Sequence, residues 1–127
     1  MNRILMILFS LLISFNSYSD WAKVGTSSGH NFYVDFDAIK FNEYVIYLNL
    51  RTNPKPDKFG DMSSINLNEL DCKIPRKQRA RATGFYTQTM GKGSPSAMTK
   101  KTQEWMYAPT GSMLDVIMGK VCAYVGR

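Results

Sequence analysis

The chain has 127 residues, 44% of them hydrophobic, with a formal net charge of +6 and a single histidine. That length holds one domain rather than two. One histidine and two cysteines fall short of the four ligands a structural zinc site wants, and no metal or cofactor is expected.

Met1, Asn2 and Arg3 supply a short positive start, residues 4–15 form an apolar run, and Ser17 and Ser19 place small residues where a signal peptidase reads. The expected division is a signal peptide over residues 1–19 and one domain over residues 20–127. The apolar run is too short for a membrane span, which needs roughly 20 residues. No cysteine lies near the cleavage point to take a bacterial lipid anchor. The mature chain is therefore expected to be exported without a transmembrane anchor, in the periplasm or at the cell surface. In the cytosol its two cysteines would read as buried thiols. In an oxidising compartment they most often form one bridge, Cys72 with Cys122.

Residues 21–24 read as a first strand, followed by a flexible turn over residues 25–29. Residues 31–39 alternate, with Phe32, Val34 and Phe36 on one face and Tyr33, Asp35 and Asp37 on the other. Residues 44–51 form the most apolar strand, and the loop 52–61 carries Pro54 and Pro56, which a central ladder excludes. In residues 62–72 the apolar positions change face between Ile65 and Leu67 and the pair Leu70 and Cys72, which points to a bulge or bend. Residues 77–90 set Ala80, Ala82, Gly84 and Tyr86 on one side, a small-residue face on which a helix could dock. Residues 97–107 contain the last strand, with Trp105 expected in the core.

Ser112 followed by Asp115 has the spacing of a helix N-cap with an acid in the first turn. Leu114, Ile117, Met118, Val121 and Val125 then recur at helical steps. The predicted fold is α+β: an antiparallel sheet of about five or six strands with one C-terminal helix packed on a face. The Cys72–Cys122 bridge would pin that helix to the sheet.

The Trp21 strand, Phe32-Tyr33-Val34-Asp35, Glu69-Leu70-Asp71-Cys72 with the basic stretch after it, Tyr86, Met90-Gly91-Lys92-Gly93, Trp105 and Val121-Cys122 appear in an order that resembles the surface-adhesin protein E family of Gram-negative bacteria. The resemblance spans nearly the whole mature chain. It implies an antiparallel sheet with a C-terminal helix tethered by one disulfide, and a surface protein that binds host matrix or serum proteins.

Charge supplies the candidate contact surface. Residues 20–72 carry eight acids against five bases, whereas residues 73–101 carry eight bases and no acid. Lys77, Arg79 and Arg81 stand at two-residue steps, with Lys73 and Arg76 close by and Tyr86, Lys100 and Lys101 completing the candidate binding set. Such a ridge creates a positive potential suited to an acidic protein segment or a polyanionic host or envelope component. The same charges also suit a solvated edge strand that resists aggregation. Export argues against nucleic acid. Gly25-Thr26-Ser27-Ser28-Gly29 matches a nucleophile-elbow pattern, but a strand follows it and His30 is adjacent rather than distant, so no enzyme is expected. Asp35 and Asp37 read as the polar side of a strand, and residues 90–93 as a turn lacking the features of a phosphate loop. The expected function is a non-enzymatic exported binding module, the alternative being a periplasmic envelope protein without a host ligand.

Overall fold

In the computed structural model the described residues are 20–127, so the leader expected over residues 1–19 lies outside them. Seven strands form one antiparallel sheet: β1 (Ala22–Ser27), β2 (His30–Val34), β3 (Lys40–Phe41), β4 (Val45–Thr52), β5 (Ser63–Asp71), β6 (Lys77–Tyr86) and β7 (Ala97–Thr99). Six lie side by side in the order β1-β2-β4-β5-β6-β7, while β3 pairs with the start of β4. One α-helix among the described residues, α1 (Met113–Tyr124), follows. The Cys72–Cys122 disulfide, with Cα atoms 5.8 Å apart, joins the end of β5 to α1.

Several element boundaries differ from expectation for local reasons. β1 runs on to Ser27, and the turn shrinks to Ser28 and Gly29. Both have positive φ, 52° and 80°, the backbone a tight two-residue hairpin requires. β2 stops at Val34, because Phe36–Ala38 turns into a single 3-10 helix instead of continuing the alternation. The expected bulge lies beside Leu67, but the extra residue sits on the partner strand. Leu67 pairs with Ala82 and Asn68 with Ala80, leaving Arg81 between them.

That extra residue reverses the facing of the second half of β6. Gln78, Ala80, Thr83 and Phe85 share the helix-bearing face, while Lys77, Arg79, Ala82, Gly84 and Tyr86 share the back. The helix therefore does not dock on a small-residue face of β6. It packs on Val34, Val45, Tyr47 and Leu70, burying Ile117, Met118, Val121 and Cys122. Gly25 leaves room for the Met113 side chain of α1 over β1, since a Cβ there would lie 2.6 Å from Met113 Cε. At the helix start Ser112 Oγ accepts from Asp115 N (3.2 Å), and the Asp115 carboxylate accepts from Gly111 N (2.9 Å), so cap and acid act as the sequence indicates.

A second core lies on the back face, where Leu50, Ile65 and Tyr86 are buried with Trp21, Tyr33, Leu48 and Met90 around them. Trp105 belongs to neither core. β7 ends at Thr99, and the chain beyond it follows β6 irregularly, through Gln103 N to Ala80 O (2.8 Å) and a bridge between Gln78 and Met106.

Candidate functional site

The basic residues of β6 meet a buried acid on the back face. Glu69 stands directly opposite Arg79 in the ladder, with its side chain 9% exposed. Arg79 Nε donates to Glu69 Oε1 at 3.1 Å, and Arg81 Nε approaches the same oxygen at 3.4 Å. The bulge brings Arg81, 53% exposed at its side chain, to that carboxylate. Trp105 then packs over the row, with its ring 4.3 Å from Arg79 Cζ, 4.9 Å from Lys77 Nζ and 4.9 Å edge-on from Tyr44. Cation–aromatic contacts of this kind contribute about 0.5–1 kcal/mol each at exposed sites and hold the long side chains in place.

The other residues of the predicted set divide. Lys100 and Lys101 are exposed on the run between Thr99, paired with Thr83, and Gln103, bonded to Ala80, so they flank Arg81. Lys73 is exposed in the turn before β6, its N–H bonded to Asp71. Arg76 leaves the ridge: its guanidinium reaches α1, 3.7 Å from where a Cβ on Gly119 would stand. Tyr86 is 4% exposed in the second core, so its side chain is absent from the ridge surface. The geometry thus gathers Lys77 and Arg79 at Trp105 and Arg79 and Arg81 at Glu69, with Lys100 and Lys101 exposed on the neighbouring run.

A second concave surface, unforeseen from the sequence, occupies the helix-bearing face beyond α1. This groove has a volume of about 670 Å³. Cross-strand pairing sets its floor in rows. One row reads Phe32, Arg51, Ser64, Phe85, and the next Asn49, Asn66, Thr83. Deeper toward the helix come Tyr47, Asn68 and Ala80. Asn68 Nδ2 donates to Asn49 Oδ1 (2.7 Å), and Thr83 Oγ1 donates to Asn66 Oδ1 (2.6 Å). Tyr47 donates its hydroxyl hydrogen to Gln78 Oε1, and burial pushes its pKa well above the ordinary tyrosine value. Arg51 Nε is buried and has no hydrogen-bond partner among the described residues. Met106, Met113 and Ile117 form apolar walls, and Glu104 lies on the rim. The available signal was the alternation of Asn49 with Arg51 and of Asn66 with Asn68 in two central strands.

The remaining sequence motifs take ordinary places. Ser27 ends β1 in the exposed hairpin, while His30 Nδ1 lies 3.1 Å from Asn53 Oδ1. Asp35 and Asp37 do not share a strand face, because β2 has already ended. Asp35 is 3% exposed and Asp37 is exposed on the 3-10 turn. Burial is the largest influence on Asp35 and raises its pKa, aided by Asp37 and Asp20 and opposed by backbone N–H groups of Ala38 and Asp37. Thr89–Gly91 form a 3-10 turn over the second core, where Gly91 N donates to Ser63 Oγ (2.9 Å). No helix among the described residues is long and apolar enough to cross a membrane.

The family model for surface-adhesin protein E matches residues 21–123. No curated protein and no solved structure matches the chain.

Proposed function

The chain belongs to the surface-adhesin protein E family, and we propose on that basis that it is an exported, non-enzymatic binding module whose contact surface for polyanions is the arginine pair of β6. One observation carries the reading. Arg79 and Arg81 direct their Nε groups to a single carboxylate oxygen of Glu69. Their Nη ends remain for a partner, and that fork is the part of arginine that matches sulfate and carboxylate groups. One acid set against two arginines and a neighbouring lysine leaves the cluster positive. Trp105 fixes Lys77 and Arg79, which lowers the entropy lost when a ligand binds. Lys100 and Lys101 extend the positive field along the sheet edge.

Retention on immobilised heparin at physiological ionic strength, about 0.15 M, tests the assignment. The Arg79→Ala/Arg81→Ala variant is expected to elute at clearly lower salt, with an unchanged circular-dichroism spectrum. Identical elution of a folded double variant removes the ridge as the contact surface. Protease treatment of intact cells tests display: cleavage places the module on the surface, and full protection places it in the periplasm.

A further inference from the structure

We propose that the groove beside α1 is a second ligand site, on the opposite face of the sheet from the arginine pair, and that it takes a short carboxylated saccharide. Its hydrogen-bonding groups point to an acceptor-rich ligand. The oxygens of Asn49 and Asn66 already accept from Asn68 and Thr83, so these amides have their NH2 groups left to offer. Arg51, in the lining, adds a cation whose Nε has no hydrogen-bond partner among the described residues. A carboxylate is the group that takes best advantage of a guanidinium.

The shape favours a sugar over a peptide. The floor is a sheet face, so it presents side chains and no free backbone edge. A peptide strand therefore cannot add to the ladder there, and its own N–H and C=O groups would rely on a few amides. A saccharide carries hydroxyls around its rim, and its ring faces are apolar enough to rest on side-chain walls. Phe32 and Phe85 stand at the two ends of the row that holds Arg51 and Ser64. They are three inter-strand steps apart, roughly 14 Å, a span two pyranose rings fill. A volume of about 670 Å³ is of the size that holds a small ligand. The charged neighbours are Glu104 on the rim and Asp57, whose carboxyl is held below the ordinary range first by the backbone N–H of Asp61, then by that of Phe59 and by Arg51; Arg51 is the cation among the groove's lining residues.

The test is titration of the isotope-labelled protein with digalacturonic acid, followed through amide and side-chain NH2 resonances. Lactose serves as the neutral disaccharide and an acidic tetrapeptide as the rival class. Digalacturonate is expected to shift the side-chain resonances of Asn49 and Asn66 and the Arg51 Nε–H. Arg51→Gln should weaken binding at least tenfold. Asn66→Asp, which keeps an acceptor for Thr83 but sets a negative charge in the floor, should do the same. Arg79→Ala/Arg81→Ala should leave the titration unchanged, which keeps this site separate from the heparin surface. Three results overturn the proposal: no shifts at millimolar digalacturonate, equal binding of lactose, or shifts from the tetrapeptide alone.

Discussion

Replacing both Cys72 and Cys122 by alanine removes the covalent tie between α1 and the end of β5. The bridge closes 50 residues, and on the chain-entropy model a loop of that size stabilises by about 4 kcal/mol. Cys122 is fully buried among Val34, Leu70 and Val121, so loss of its sulfur leaves a small void worth on the order of 1 kcal/mol more. Against a total of roughly 5–15 kcal/mol for a domain, the double variant loses about a third of its stability or more. With a urea dependence of about 1–3 kcal/mol per molar, the unfolding midpoint should fall by roughly 2 M or more. Fluorescence reports on Trp21, beside the second core, and Trp105, at the sheet edge; neither belongs to α1. A fall seen by fluorescence and circular dichroism together means that the tie holds the whole domain. Loss of helical signal at low urea with an unmoved fluorescence midpoint would refute that reasoning, as would a loss below about 1 kcal/mol.

Glu69→Gln should lower stability by about 1–2 kcal/mol, because Arg79 loses a charge-assisted bond while the more exposed Arg81 loses little. The same change should raise the salt needed to elute the protein from heparin, and earlier elution would contradict the ridge assignment. Tyr47→Phe strands the buried Gln78 oxygen and should cost about 1–3 kcal/mol in urea unfolding. Asp35 has a folded pKa raised by burial, so the folded state holds its proton more tightly than the unfolded chain does. Its contribution is fully present below the unfolded carboxylate value near pH 4 and is lost as pH rises through the raised folded value. Asp35→Asn should therefore flatten the dependence of the urea midpoint on pH from about pH 4 upward, and raise the midpoint at neutral pH. A wild-type slope would contradict this.

The strands and helix were legible because period-two and period-3.6 patterns record burial, and burial against a sheet face or along a helix stripe decides both elements. The Ser112 cap and the cysteine pair were equally readable, one through spacing and the other through compartment. What failed was facing. A single unpaired residue, Arg81, reverses every side chain after it on β6, and no feature of the sequence says which of two paired strands carries the extra residue. The ridge was visible as charge, but its partner was not. Glu69 lies in the acidic first half and meets Arg79 only through the β5–β6 register. Trp105 reads as core because aromatics most often pack there, whereas the irregular run after β7 places it over the cations.

The groove exists because α1 covers only part of the sheet face: it packs on Val34, Val45, Tyr47 and Leu70 and leaves the row Phe32, Arg51, Ser64 and Phe85 open. An apolar floor beyond the helix would expose a patch prone to association. Asn49, Asn66, Ser64 and Thr83 avoid that, but asparagine is a poor strand former, and Asn49 and Asn66 both lie in central strands. The floor thus gives up stability that a threonine would supply, as expected where a surface is kept for a ligand. Asn66→Thr retains an acceptor for Thr83 and restores a β-branched side chain. It should stabilise the domain by several tenths to about 1 kcal/mol, read as a higher urea midpoint, while weakening digalacturonate binding through loss of the NH2 donor. A stability gain with binding unchanged would mean that this amide contacts no ligand. A loss of stability would mean that the asparagine serves the sheet, and the trade between fold and function would have to be sought elsewhere on the chain.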